Sequence, residues 1–257
     1  MNQSEKVARF TESHRKGNPL LLYNAWDAGS AKSIFDCGAK AVATSSWAMA
    51  RAQGYRDGEM IPFSLVAQLT ERIVRAVDAP VSLDFEGGYC GDDDSELVFN
   101  VLELLSLGIT GLNFEDRIVK GQGLYGIDHQ ANRIAILREA ANTRGASLFI
   151  NARTDLFLKK DGKPEDYMDD AIKRAQAYAA AGASGFFIPG LVEDHLIREI
   201  CDNTSLPVNV MLLSGMSSIR SLSKLGVARI SFGPTPYVQT MSVLQSAARV
   251  LFSISGD

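Results

Sequence analysis

The chain has 257 residues, of which 46% are hydrophobic and 22% charged, and its formal net charge is −4. This composition is typical of a globular protein, and the length suits one large domain. The acidic balance provides no long-range attraction to nucleic acid or to an anionic membrane, so a small metabolite is the expected partner. Three widely separated cysteines form no CxxC or His/Cys cluster, which argues against a zinc site and against a disulfide framework.

The first residues of the chain indicate where the protein works. They include Glu5, Lys6 and Arg9 and contain no apolar segment, which is not the pattern of a signal peptide. No apolar run elsewhere approaches the length of a membrane span. We therefore expect a cytoplasmic protein without a membrane partner.

Short apolar runs of strand type alternate with stretches of helical spacing along the whole chain. After a polar helical start at 4–14, the predicted strands lie at about 20–24, 41–46, 81–86, 111–116, 147–153, 185–189, 207–212 and 229–233. The predicted helices that follow them lie at about 28–35, 63–77, 95–107, 130–142, 167–181, 193–202, 216–225 and 237–252. His14 and His195 fall on outer helices and are expected at the surface.

Eight strand–helix units in a chain of this length predict an α/β protein with a single (β/α)8 TIM barrel over residues 1–257. A doubly wound open sheet is the structural alternative. That fold needs fewer units and usually carries a Gly-rich phosphate turn after its first strand, which is absent here.

The segment 81–89 carries the clearest chemical signal. Asp84 and Glu86 stand two residues apart, on one face of an extended strand and directly before a glycine pair. Like charges at this spacing repel, so a cation between them or a shared proton is expected, and Mg²⁺ is the candidate ion. The alternative is that one carboxylate caps the following turn while the other is solvated.

In such a barrel the carboxyl ends of the strands form the active site. Three neighbouring strands end in the two carboxylates just described, in Glu115 and in Arg153, which suggests a divalent cation and an anionic substrate held by the guanidinium. The alternative is a purely structural salt bridge between Arg153 and Glu115. Trp26 and Asn209 are candidate substrate contacts, with core packing as the alternative for Trp26. Other polar side chains at predicted strand ends are Asn24, Asp27, Thr44, Ser45, Ser46, Asp116, Asn151, Asp155 and Ser231.

This ordered set of strand ends resembles the isocitrate lyase/phosphoenolpyruvate mutase superfamily. The resemblance implies a barrel whose last helix is exchanged between subunits, a homodimer or homotetramer, and Mg²⁺ as cofactor. The segments that carry it are Trp26-Asp-Ala28, Ser45-Ser46, Gly54-Tyr-Arg-Asp57, Asp84–Tyr89, Asn113–Asp116, Asn151–Asp155 and Ser231-Phe-Gly233.

The resemblance also implies roles for individual residues. Asp84 would be the direct metal ligand, with Asp57, Glu86 and Glu115 holding its waters. The hydroxyl or backbone N–H groups of Ser45 and Ser46 would contact a 2-oxo acid. Arg153 would hold the same anion.

The loop at 117–129 departs from the best-known members. The Lys-Lys-Cys-Gly signature with its catalytic cysteine is missing, so isocitrate or methylisocitrate cleavage has no counterpart of its thiol here. Lys120 and Gln122 lie roughly where the mutase branch has Lys and Asn, and with Arg153 they are the predicted catalytic residues. Three glycines would allow the loop to act as a lid, and an ordinary surface loop is the alternative.

The resulting prediction is a Mg²⁺-dependent lyase that cleaves a C–C bond in a small 2-oxo or hydroxy dicarboxylate, by decarboxylation or a retro-aldol step, through a pyruvate-like enolate. One alternative is C–P bond chemistry of the phosphoenolpyruvate mutase or phosphonopyruvate hydrolase type. Another is a non-catalytic barrel that binds a 2-oxo acid.

Overall fold

A ring of nine short parallel strands forms the centre of the protein in the computed structural model, which describes residues 2–159 and 161–254. Most of their residues are buried, which is typical of parallel strands covered by helices. The strands are β1 (Leu20–Leu22), β2 (Asn24–Ala25), β3 (Val42–Thr44), β4 (Val81–Asp84), β5 (Gly111–Glu115), β6 (Phe149–Arg153), β7 (Gly185–Phe187), β8 (Val208–Met211) and β9 (Arg229–Ser231).

The ring closes through its first strand, which is divided in two. β1 pairs with β9 and β2 pairs with β3, and only Tyr23 separates β1 from β2. All other neighbours in the ring follow one another in sequence. The predicted (β/α)8 TIM barrel is therefore confirmed, with the first predicted strand split into two segments.

The surrounding helices lie close to their predicted positions, with one addition. Helix α3 directly follows β3 because the Ser45 hydroxyl caps it, accepting a hydrogen bond from the Ala48 N–H at 3.4 Å. No described helix is long and apolar enough to cross a membrane. The helices are α1 (Gln3–Glu12), α2 (Ala28–Asp36), α3 (Ser46–Ala52), α4 (Phe63–Ala76), α5 (Asp94–Leu107), α6 (Ile127–Thr143), α7 (Met168–Ala180), α8 (Asp194–Asn203), α9 (Ile219–Lys224) and α10 (Thr235–Ile254).

Helix α1 and the residues just after it close the amino-terminal end of the barrel. Phe10 is fully buried and packs edge-on against Phe149, while the His14 ring stacks on Phe149 at 4.1 Å between centroids. The predicted surface position of His14 is therefore wrong. Val7, Phe10 and His14 share the three- and seven-residue spacing of one helical face, and that face is turned inward. Burial and the charge of Arg229 lower the pKa of His14 to about 3.

The strand register brings the polar strand ends together at the opposite rim. Asp84 lies beside Asn113, and Asn113 beside Asn151. Two residues further along these strands, Glu115 pairs with Arg153. Because alternate residues of a strand face the same way, these five side chains share the interior of the barrel towards its carboxyl end.

Close packing at the amino-terminal end gives a test of the fold. A Cβ on Gly111 would lie 2.9 Å from both Phe10 Cε1 and the Phe149 carbonyl oxygen. Gly111→Ala should therefore lower the free energy of unfolding by about 1–3 kcal/mol through overpacking. The control is Gly29→Ala in α2, where the nearest atom is Asp27 Oδ1 at 3.6 Å and stability should stay equal or rise by up to about 1 kcal/mol. Denaturant titration measures both, and equal stability of the two variants would contradict this packing.

Candidate active site

Asp84 ends β4 at the rim, and four hydrogen bonds fix its position. Its Oδ2 accepts bonds from the backbone N–H and the hydroxyl of Ser46 at 3.0 and 2.7 Å, and its Oδ1 accepts one from Asn113 Nδ2 at 3.3 Å. Its own N–H donates to Thr44 Oγ1 at 2.9 Å. Because a carboxylate oxygen has two acceptor sites, Oδ2 is saturated and Oδ1 keeps one site for a further ligand.

Glu86 is buried just beyond the end of β4. Its Oε1 accepts hydrogen bonds from the N–H groups of Gly58 and Glu59, both at 3.1 Å, and its Oε2 accepts one from the Tyr89 hydroxyl. Burial raises the pKa of Glu86 to about 7, and the nearby charges of Asp84 and Asp57 add to this, while the Tyr89 bond opposes it. In the absence of a cation, Glu86 is therefore partly protonated near neutral pH.

The loops that carry these side chains hold strained backbone. Glu59, Glu86 and Tyr89 have φ values of 55°, 51° and 58°, a left-handed region that non-glycine residues rarely occupy. The loop before α4, which carries Glu59, and the loop after β4, which carries Tyr89, stabilise each other. Glu59 Oε1 accepts a hydrogen bond from the Tyr89 N–H at 2.8 Å. Strain of this kind concentrates at functional sites. No pattern in the sequence indicates a role for Glu59 or Tyr89, apart from their nearness in the chain to Asp57 and Glu86.

Arg153 ends β6 between two carboxylates. Its NH1 lies 2.9 Å from Glu115 Oε2, and its Nε and NH2 lie 2.6 and 3.0 Å from the two carboxylate oxygens of Asp155. Burial raises the pKa of Glu115, and the Arg153 charge opposes that rise. The salt bridge considered as a structural alternative is therefore present. Together, the bonds to Glu115 and Asp155 leave one N–H on NH1 and one on NH2 for a further acceptor.

Asp57 belongs to the same cluster. Burial and then the charge of Asp84 raise the pKa of Asp57, while Arg153 and Arg117 oppose the rise. Among the residues that the structure describes, no three acidic, histidine or cysteine side chains converge on one point. A carboxylate oxygen with one open acceptor site is a hard donor of the kind that Mg²⁺ prefers, and binding of the ion at Asp84 stays a prediction.

The other predicted substrate contacts lie in three different settings. Ser45 caps α3, and both donors of Ser46 are engaged by Asp84. Asn209 is buried inside the barrel, where its Oδ1 accepts a bond from Asn151 at 3.0 Å. Trp26 is half-buried against the core, packs edge-on against Tyr237 and lines a groove beside α1 and α2. Contact of any of them with a substrate stays a prediction.

Lys120 and Gln122 are exposed on a hairpin-like loop. The Ile118 N–H donates to the Gly123 carbonyl at 3.1 Å, which gives the loop a defined shape. Val119 packs tightly on Gly87, since a Cβ added to Gly87 would lie 2.7 Å from Val119 Cγ2. The positive charge of Lys120 acts on Glu59, and no hydrogen bond or ion pair among the described residues joins Lys120 to Asp84. The catalytic roles of Lys120 and Gln122 stay predictions.

A buried arginine that no sequence motif marks anchors the loop after Glu86. Arg133 in α6 donates from NH2 to the carbonyls of Gly87 and Gly91 at 2.7 and 3.1 Å. Its guanidinium lies 4.9 Å from the Phe114 ring and 4.7 Å from the Tyr125 ring. This contact ties the strained turn to helix α6.

Comparison with known proteins identifies related sequences and structures. The family model described as phosphoenolpyruvate phosphomutase matches residues 10–252. A 2-methylisocitrate lyase of Bacillus subtilis is 26% identical, covering 92% of this chain and 71% of its own length. An oxaloacetate decarboxylase of Rhodopseudomonas palustris is 29% identical, and the match covers 77% of this chain and 65% of that protein. A crystal structure from Burkholderia cenocepacia, provisionally named a phosphonomutase, is 45% identical with a TM-score of 0.92, covering 95% of this chain and 99% of that one.

The raised pKa of Glu86 makes stability depend on pH in the metal-free protein. The native state binds this proton more tightly than the unfolded state, so the free energy of unfolding should fall between pH 4.5 and about 7, by roughly 3 kcal/mol from this group. Glu86→Gln should flatten that decline, whereas Glu165→Gln, at an exposed position, should keep the wild-type profile. Denaturant titrations across this pH range measure it, and equal slopes in all three proteins would contradict the assignment.

Proposed function

The chain belongs to the phosphoenolpyruvate phosphomutase family, and on that premise we propose that it is a Mg²⁺-dependent lyase cleaving a C–C bond in a small 2-oxo or hydroxy dicarboxylate. The observation that carries the proposal is the position of Arg153, whose guanidinium lies among carboxylates at the same rim as Asp84. A carboxylate cluster beside an arginine suits a cation together with an anionic substrate. The names of the lyase and decarboxylase relatives support the C–C reaction.

Asp84 would hold Mg²⁺ through the open acceptor site on Oδ1, while Asp57, Glu86 and Glu115 would bind its water ligands. The ion would supply Lewis-acid stabilisation of the negative charge that develops on the 2-oxo oxygen. Neutralising the cluster would also favour the charged form of Glu86, whose pKa is about 7 without a cation.

Arg153 would bind the carboxylate of the substrate next to the carbonyl. Its planar fork is already oriented by Glu115 and Asp155, so little rotamer entropy is lost when the two remaining N–H groups bind an anion. A second cation, Arg117, lies within electrostatic reach of Asp57. Two cations near one rim support a dicarboxylate substrate over a monocarboxylate.

The reaction breaks the bond between C3 and its substituent. The electron pair of that bond stays on C3 and delocalises to the 2-oxo oxygen as an enolate, and a proton then adds at C3. The leaving group departs as CO₂ in a decarboxylation. In a retro-aldol step it departs as a carbonyl compound, because the hydroxyl group on C4 loses its proton to solvent as the C3–C4 bond breaks. Val119 and Gly87, which pack the 117–124 loop against the rim, would exclude water from the enolate.

Turnover is the direct test. Mg²⁺-loaded protein should release pyruvate or its C3-substituted homologue, with CO₂ or a carbonyl co-product, from at least one member of a panel of small 2-oxo and hydroxy dicarboxylates. Liquid chromatography with mass spectrometry detects both products. If no member of the panel is cleaved, the lyase proposal is wrong.

Matched variants separate metal binding from substrate binding. Asp84→Asn should abolish binding of Mg²⁺ and of oxalate, a planar mimic of the enolate. Arg153→Lys should keep the Mg²⁺ affinity but weaken oxalate, because one charge-assisted bond is worth about 2 kcal/mol. Asp36→Asn, on the exposed surface of α2, is the control and should change neither. Calorimetric titration measures these affinities, and unchanged Mg²⁺ binding by Asp84→Asn would place the ion elsewhere.

Phosphonate chemistry is the second candidate function. It is favoured by the 45% identity to the protein provisionally named a phosphonomutase, and by Lys120 and Gln122 on the loop. Breaking a C–P bond at C3 leaves the same enolate, so the same rim would serve. Phosphorus NMR of phosphonopyruvate incubated with the protein distinguishes the two: loss of its signal to phosphate or phosphoenolpyruvate supports this candidate over the lyase.

We also propose that α10 is exchanged between subunits of a homodimer or homotetramer. Its apolar side chains Val243 and Leu244 are 71% and 60% exposed. A groove of about 1310 Å³ runs along α1, β1 and α2, with Leu21 and Trp26 among its lining residues. An apolar helix and an apolar groove on one chain suit exchange between two copies.

Leu244→Glu should dissociate this assembly, because it places a charge on the apolar face of α10. Gln245→Glu, at an exposed polar neighbour, is the matched control and should leave the assembly intact. Sedimentation velocity at micromolar concentration measures the mass. A monomeric wild-type protein would refute the exchange.

A further inference from the structure

The barrel interior beneath Asp84 is polar, although such interiors are usually filled by apolar side chains. Asn151 Nδ2 donates to Asn113 Oδ1 at 2.9 Å and to Asn209 Oδ1 at 3.0 Å. Asn209 Nδ2 in turn donates to the backbone carbonyl of Arg229 at 3.2 Å. A chain of side-chain amides therefore leads from the middle of the barrel to the rim.

Arg229 begins β9 at the lower end of this chain of amides, and its side chain is completely buried. Its NH2 donates to Asn113 Oδ1 at 3.1 Å, but its Nε and NH1 have no hydrogen-bond partner among the described residues. Its guanidinium lies 5.9 Å from the Phe10 ring. Burial lowers the pKa of Arg229 to about 9, so the group keeps its charge at neutral pH. A buried charge with unsatisfied donors disfavours folding, so its presence calls for a reason outside stability.

Asn113 connects Arg229 to the site. Its carbonyl oxygen accepts bonds from both Asn151 and Arg229, and its amide nitrogen donates to Asp84 Oδ1. Two donors on the oxygen fix the orientation of the carboxamide, because a flip would place the amide N–H groups against them. The same flip would turn the carbonyl oxygen towards the Asp84 carboxylate.

We propose that Arg229 is a positioning residue for the metal site: it locks the Asn113 carboxamide so that Asp84 Oδ1 is held in place with one acceptor site open. This inference rests on the proposed Mg²⁺ site. Arg229 contacts neither substrate nor ion and acts through Asn113.

The test compares Arg229→Met, which keeps the length of the side chain and removes its charge and donors, with Arg138→Met. Arg138 is a half-buried arginine that donates to the Gly182 carbonyl and the Ser184 hydroxyl. Arg229→Met should raise the Mg²⁺ dissociation constant about tenfold, while the unfolding temperature of the metal-free protein stays the same or rises. Arg138→Met should lower the unfolding temperature and leave the Mg²⁺ affinity unchanged.

Two further variants keep the proposal testable if Arg229→Met folds poorly. Arg229→Lys retains the charge and a donor, and should recover part of the lost affinity. In an Asn113→Leu background, Arg229→Met should cause no additional loss of Mg²⁺ affinity, because the path to Asp84 is already broken. Wild-type affinity in folded Arg229→Met, or fully additive losses in the double variant, would overturn the proposal.

These readouts separate the inference from the proposed function. Loss of Mg²⁺ affinity in Arg229→Met supports the positioning role even if the wild-type protein cleaves no member of the substrate panel. Turnover by the wild type together with unaltered Mg²⁺ binding in Arg229→Met refutes the positioning role alone. Absence of Mg²⁺ binding in the wild type refutes both.

Discussion

The burial of several carboxylates at one rim of the barrel is the constraint on which the rest of the site depends. Burial, reinforced by neighbouring negative charges, raises the pKa values of Asp57, Glu86 and Glu115. Positive charge therefore has to approach this rim from several directions. Arg153 supplies it through ion pairs, and Arg229 supplies it from the barrel interior. The cation proposed at Asp84 would complete this balance.

The fold makes this arrangement possible because parallel strands bring all their carboxyl ends to one rim. The loops after these strands then take up backbone conformations that the strands themselves could not. The positive φ angles at Glu59, Glu86 and Tyr89 persist because hydrogen bonds between the loops and the buried Arg133 hold them. A rigid barrel with strained loops is well suited to presenting charged groups in one fixed geometry.

The same rim can serve either of the two proposed reactions. Cleavage of a C–C bond and cleavage of a C–P bond at C3 both leave negative charge on one enolate oxygen, and the cluster around Asp84 and Arg153 would stabilise that charge in either case. The leaving group would meet the exposed loop that carries Lys120 and Gln122. On these proposals, chemistry at the rim and choice of substrate would depend on separate parts of the chain.

The sequence by itself determined the barrel and the identity of its acidic rim, because alternating strand and helix periodicities and polar strand ends are local patterns. It also placed Arg153 beside Glu115, since adjacent parallel strands in register bring such residues together. Only the tertiary structure decided the burial of His14, the role of Glu59 and the link from Arg229 to Asn113, residues 116 positions apart. Periodicity shows which face of an element is buried, whereas the partner of a buried polar group is set by packing between elements distant in the chain.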